Sequence, residues 1–210
     1  MKRSTVVLTV ASAALLLGSA TSALPIDLVE ALGFVTGGLT VWLTVRENIW
    51  CWPVGIANNV FFIILFWNAR LYADMGLQVV YIVLSVLGWY WWLRGGTQKT
   101  ALRASRTPAK EWLVLVPLAI FGTLLMRHYL ASVNDAAPLL DASTTVASLV
   151  AQYLLTRKYI ENWYVWLAAD IVYVVLYVQR GLPLTAVLYA VFIGMCVAGI
   201  RSWKRAAIAK

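Results

Sequence analysis

The sequence predicts an all-α membrane protein: a seven-helix 3+1+3 bundle in which two parallel triple-helix repeats are joined by one linker helix. Three observations carry that expectation. Hydrophobic residues make up 62% of the chain and charged residues 12%, about half the ~25% charged share of an ordinary soluble domain. Apolar runs near the ~20 residues that a helical span requires recur along the chain. The apolar second half also repeats the first. Ala57-Asn58-Asn59-Val60-Phe61-Phe62 reads against Ala169-Asp170-Ile171-Val172-Tyr173-Val174 at an offset of 112. Leu43-Thr44 reads against Leu155-Thr156 at the same offset. Gly88 with Trp92 reads against Gly199 with Trp203 at an offset of 111, where Gln78 falls on Tyr189 and Glu30-Ala31 on Asp141-Ala142.

Taken in order, residues 1–24 open with Met1-Lys2-Arg3 and continue apolar to Ala23. This is the order of parts in a signal peptide, and the stretch is also long enough for an extra membrane helix; both readings stand. After Pro25 seven spans are expected, at about 28–45, 50–67, 72–93, 111–127, 142–156, 162–179 and 183–202. Pro53 and Pro183 suit the first turns of their helices, where the missing N–H costs nothing. Spans one to three form the first repeat, 28–93, and the last three the second, 142–203. The basic loop 94–110, with Gly95-Gly96 and five cations, leads into the linker helix 111–127, which carries almost no polar side chain and reads as a lipid-facing strap.

The loops after spans one, three and five, with the tail, hold twelve cations (Arg46, Arg94, Lys99, Arg103, Arg106, Lys110, Arg157, Lys158, Arg201, Lys204, Arg205, Lys210). The opposite loops hold three, Arg70, Arg127 and Arg180. By the positive-inside rule the C-terminus is cytoplasmic, and the cell's inner membrane is the expected location. An odd linker helix then gives both triplets the same orientation, so the repeats are parallel. The net charge of +8 therefore speaks of membrane orientation and not of nucleic acid.

Polar groups aligned along a membrane helix mark a pathway by default. Trp163, Trp166, Asp170, Tyr173 and Tyr177 recur at steps of three or four, as do Asp141, Thr145, Ser148 and Gln152, and Gln78, Tyr81, Ser85 and Trp92. Asn58 and Asn59 lie in the second span. Aromatic plates beside amides and one carboxylate suit a flat ring bearing a polar sugar. The candidate substrate-binding residues are thus Asp170, Trp166, Tyr173, Asn58, Gln78 and Gln152. Interhelical hydrogen bonding is the competing role for each amide and hydroxyl, and helix-dipole complementation the one for Asp141 and Glu30. Ten of the eleven tryptophans fall at the cytoplasmic ends of spans, with Trp67 alone outside. That one-sidedness exceeds an interfacial belt and places some of them, Trp166 first, at the inner mouth. Cys51 and Cys196, without a CxxC spacing, read as small packing residues.

Other classes lack their chemistry. The one histidine, His128, sits at an outer helix end, so no nucleophile–base pair or metal cluster is available to an intramembrane enzyme. Every lysine lies in a cytoplasmic loop or terminus, which removes a retinal Schiff base. No phosphate-binding GxxxxGK[ST] appears. No metal and no cofactor are expected.

Thr156-Arg157-Lys158-Tyr159-Ile160-Glu161-Asn162-Trp163 followed by Trp166, Leu71-Tyr72-Ala73-Asp74 with Gln78, and Gly88-Trp89-Tyr90-Trp91-Trp92 together resemble the PnuC-type vitamin-precursor transporters, over about residues 28–203. The resemblance implies a 3+1+3 fold related to the SWEET sugar transporters and assembly as a homotrimer. It also implies uptake of nicotinamide riboside for NAD biosynthesis by facilitated diffusion, through rocking of the two triplets. Phosphorylation by a cytoplasmic kinase would trap the product. The family often carries an asparagine where this chain has Asp170. A carboxylate there favours a cationic pyridinium or marks another vitamin of the same family, thiamine or riboflavin. A cation-coupled symporter is a further alternative.

Overall fold

The computed structural model describes residue 21 and residues 28–68, 70, 72–134, 137–179 and 183–208, with only the backbone given for Glu30, Tyr72, Ala73, Leu176, Tyr177, Gln179, residues 183–185 and Leu188. The expectation for residues 1–24, together with Arg180 and Lys210, lies outside the described residues. Seven α-helices and no strand occur among those described: α1 (Leu28–Val45), α2 (Cys51–Asn68), α3 (Tyr72–Arg94), α4 (Ala109–Ser132), α5 (Pro138–Thr156), α6 (Asn162–Gln179) and α7 (Pro183–Ile208).

Local chemistry sets the ends. Pro53 sits in the first turn of α2, Pro138 opens α5 and Pro183 opens α7, each where a proline forfeits no helical bond. The side-chain oxygen of Asn48 accepts from Trp50 N–H (2.9 Å) just before α2 begins. α3 stops at Gly95, whose N–H returns to the Trp91 carbonyl (2.7 Å). Three helices run longer than the sequence suggested: α4 continues to Ser132 past Pro117, α5 starts at Pro138, and α7 extends to Ile208. The segments Cys51–Asn68, Asp74–Arg94 and Ala109–Ser132 are long and apolar enough to cross a bilayer. Along α4, Leu113, Leu118, Phe121 and Leu125 are more than half exposed, a surface that suits hydrocarbon and not water.

The described chain forms two compact units, one up to Trp89 and one from Tyr90 onward. In the first, α1 packs on α2; in the second, α4 packs on α5, α5 on α6 and α6 on α7. The units share a construction visible in their turns. Between α1 and α2, Glu47 N–H bonds to the Thr44 carbonyl (2.9 Å) and Asn48 N–H to that of Leu43 (3.0 Å), while Trp52 N–H bonds to that of Ile49 (3.2 Å). Between α5 and α6, Lys158 N–H bonds to Leu155 (2.9 Å), Tyr159 N–H to Leu154 (2.9 Å) and Trp163 N–H to Ile160 (3.2 Å). Every pair is displaced by 111, and the left-handed residue of each turn, Glu47 at φ 54° and Lys158 at φ 57°, obeys the same shift.

A side-chain contact repeats with it. Gly88 of α3 lies against the Trp52 indole of α2, and Gly199 of α7 against the Trp163 indole of α6. A Cβ on either glycine would fall inside its neighbour's ring. The register from turn to glycine is thus 111. This corrects the offset of 112 read for Leu43-Thr44 and for Ala57–Phe62: at 111 Asp170 corresponds to Asn59, and Ala169 to Asn58.

The connection 94–110 is docked rather than free. Ser105 and Tyr159 form an isolated parallel bridge, with Ser105 N–H on the Lys158 carbonyl (3.2 Å) and Ile160 N–H on the Ser105 carbonyl (2.9 Å). Buried Lys158 donates its Nζ to the Leu102 carbonyl (3.0 Å) and lies 4.5 Å from the centre of the Trp92 ring. Glu161 Oε2 accepts from the N–H and the hydroxyl of Thr107, both at 2.8 Å. Glu111 of α4 accepts from the phenols of Tyr153 (2.6 Å) and Tyr159 (3.2 Å). Burial pushes the Tyr159 phenol above its ordinary range, against the pull of Arg157 nearby. Beneath this strap, Trp203 takes Trp92 and Trp163 edge-on at 5.7 and 5.5 Å, and Trp92 Nε1 donates to the Leu155 carbonyl (3.1 Å). Trp52, Trp92, Trp163 and Trp203 are all buried, so four of the tryptophans are packing elements.

Candidate functional site

The site is built on α6. Steps of four and three place Trp166, Asp170 and Tyr173 on one helix face. Trp166 and Tyr173 are half-buried, and Asp170 is 6% exposed. α7 completes the face. Its Tyr189 ring lies 4.8 Å from that of Tyr173, with Phe192 edge-on to Tyr189 at 5.9 Å. Cys196 Sγ lies 3.5 Å from Asp170 Oδ2, in donor position. No cation from the described residues pairs with Asp170; its one hydrogen bond there comes from that thiol. A carboxylate at such depth is costly, and a thiol is a weak donor. The arrangement is an acidic point beside a stack of aromatic rings.

The structure therefore joins three of the six sequence-derived residues on one face. Gln152 stands half-buried on α5 of the same unit. Asn58 and Gln78 are carried by the first unit, on α2 and α3. Asn58 is already engaged: its Nδ2 donates to the Gly33 carbonyl (2.6 Å) and to Thr36 Oγ1 (3.1 Å), tying α2 to α1. Of the two roles open to it, interhelical bonding is the one observed. On the Asp141–Gln152 stripe, the Ser148 hydroxyl bonds back to the Thr145 carbonyl (2.8 Å).

One residue escaped sequence reasoning. Cys196 read as a packing residue; it is buried as expected and also bonded to the carboxylate. Its spacing of 26 from Asp170 could not have revealed the pairing without the helix–helix contact. Among the described residues no cluster of His, Cys, Asp or Glu could hold a metal ion.

Three apolar helices long enough to span a bilayer, and a polar and aromatic face on the apolar helix α6, suit a multi-pass α-helical membrane transporter. A sequence profile describing the nicotinamide mononucleotide transporters matches residues 27–205. The chain belongs to that family. It is 29% identical over 201 residues to the nicotinamide riboside transporter PnuC of Escherichia coli K12, covering 83% of this chain and 84% of that one. It is also 29% identical over 181 residues to the riboflavin/roseoflavin transporter RibM of Streptomyces davaonensis, covering 83% of each. A crystal structure of the vitamin B3 transporter PnuC superposes with a TM-score of 0.71 at 24% identity, over 96% of this chain and 92% of that one, and shares the fold.

Proposed function

We propose that this protein carries nicotinamide riboside across the cell's inner membrane by facilitated diffusion, with its C-terminus cytoplasmic. Residues 28–93 and 142–203 act as parallel triple-helix repeats in a 3+1+3 bundle, with 94–110 as the cytoplasmic strap and 111–127 as the core of the linker helix. The turn hydrogen bonds and the Gly–Trp contacts that recur at a displacement of 111 support the repeat. The family resemblance supports a homotrimer and trapping by a cytoplasmic kinase. Asp170, Trp166, Tyr173, Gln78 and Gln152 hold the substrate. Asn58 belongs to the same set, and its amide nitrogen also braces α2 on α1.

The observation that carries the substrate is Asp170. A nine-tenths-buried carboxylate in a spanning helix, met by a thiol alone, is matched by a positive pyridinium. Tyr173 and Trp166 supply rings, and a cation over such a ring gains roughly 0.5–2 kcal/mol. Riboflavin is the second reading, favoured by the equal identity to RibM; its ring is neutral, and it leaves the charge of Asp170 unexplained.

The test is calorimetric titration of purified protein with nicotinamide riboside, thiamine and riboflavin in parallel. Nicotinamide riboside is expected to bind alone, in the micromolar range of about −8 kcal/mol. Asp170→Asn is expected to weaken it by about tenfold, or ~1.4 kcal/mol, and to leave an uncharged dihydropyridine analogue unaffected. Binding of riboflavin or thiamine instead overturns the substrate. Equal losses for the charged and uncharged ligands overturn the electrostatic role.

A further inference from the structure

Asp170 has two carboxylate oxygens, and the structure treats them differently. Oδ2 receives the Cys196 thiol from α7, and both side chains are buried, at 6% and 3% exposure. Oδ1 has no donor among the described residues. The same two helices carry the Tyr173–Tyr189 ring pair, one turn along α6 and two turns back along α7. The pairing is thus an α6–α7 contact within the aromatic face.

The register of the repeat supplies an independent observation. Displaced by 111, Asp170 falls on Asn59 and Cys196 on Ser85, which is also buried. A carboxylate with a thiol in the second unit stands where an amide and a hydroxyl stand in the first. A small side chain bearing a donor hydrogen is common to both positions, which a mere packing role would not require; alanine would fill that space.

We propose that Cys196 is a positioning residue for the transported ligand. Its thiol holds Oδ2 and fixes the Asp170 carboxylate plane, so that Oδ1 is presented to a cationic ring. The inference rests on the substrate reading above, and it makes the α6–α7 contact part of substrate selection. A donor at 196 matters here, whereas the volume of the side chain is secondary.

Infrared spectroscopy tests the pairing without any ligand. In a Cys51→Ala background the remaining S–H stretching band belongs to Cys196. Asp170→Asn is expected to move that band to higher wavenumber, because an amide oxygen is the weaker acceptor. A band indifferent to Asp170→Asn overturns the proposal. Transport in proteoliposomes supplies the second arm. Cys196→Ser, which restores a donor, is expected to keep the KM for nicotinamide riboside within about threefold. Cys196→Val, which keeps bulk and loses the donor, is expected to raise it by about tenfold with turnover unchanged. Equal KM values for the valine and serine variants also overturn it. If the unmodified protein takes up no nicotinamide riboside, the substrate reading falls, and the band shift alone then decides whether Cys196 holds Asp170.

Discussion

The turn between α1 and α2 and the turn between α5 and α6 have the same backbone and different surroundings. Both place one residue in the left-handed region and close with the same hydrogen bonds. Both are followed by a buried tryptophan set against a glycine of the next helix but one element on, Trp52 on Gly88 and Trp163 on Gly199. Their side chains then diverge. The second turn is overlaid by the strap, and Lys158, Tyr159 and Glu161 each bond to it or to α4. The positions that match Tyr159 and Glu161 in the first turn hold exposed Asn48 and Trp50, the latter 64% exposed.

The backbone of the turn and the glycine–tryptophan contact recur in both units. The side-chain hydrogen bonds to the strap belong to the second turn, where the sequence supplies Lys158 and Glu161. In the string Thr156–Trp163, Lys158, Tyr159 and Glu161 each answer a named partner in the strap or in α4.

The largest predicted effects lie where the two copies agree. Gly88→Ala and Gly199→Ala each drive a methyl into a rigid indole, and overpacking of that kind costs about 1–3 kcal/mol. Both variants are expected to lose thermal stability to a similar degree in detergent, measured by the unfolding midpoint of the purified protein. A large loss in one and none in the other would show that the wedge is structural in one copy alone.

The uneven legibility of the sequence has the same origin. Helix number and most boundaries were readable because apolar runs end at proline, glycine and polar turns. The likeness of the two turns was readable as well, at an offset that their hydrogen bonds set to 111 rather than 112. Matching by chemical likeness set Asn58 on Asp170, whereas the backbone register is fixed by turns whose side chains differ, Glu47 against Lys158 and Asn48 against Tyr159. Asp170 stood out because a carboxylate is rare in a span. Cys196 did not, because a lone thiol in an apolar run looks the same whether it packs or donates. The strap was invisible: its bonds join residues about fifty positions apart through backbone groups, and no periodicity records them.

A middle-sized effect separates the two turns. Lys158→Met keeps the length of the side chain and removes the charged donor from the Leu102 carbonyl and the Trp92 ring. Hydrogen bonds to charged groups contribute roughly 1.5–3 kcal/mol, and a loss of about 2 kcal/mol is expected in unfolding experiments. The matched substitution Glu47→Met keeps the left-handed backbone of the first turn and is expected to cost about 1 kcal/mol less than Lys158→Met. Equal losses would mean that the left-handed backbone, common to both turns, sets the stability and the strap adds nothing.

The smallest effect is the most specific. Glu161 Oε2 accepts two bonds from Thr107, one from its backbone and one from its hydroxyl. Thr107→Val removes the second alone, so a cost near 1 kcal/mol is expected. Combined with Glu161→Gln in a double-mutant cycle, the pair should couple by a similar amount, since the two side chains touch. Additivity of the Glu161 and Thr107 substitutions would detach the strap from the turn energetically. Glu161 would then have to answer to something other than the segment that lies across it.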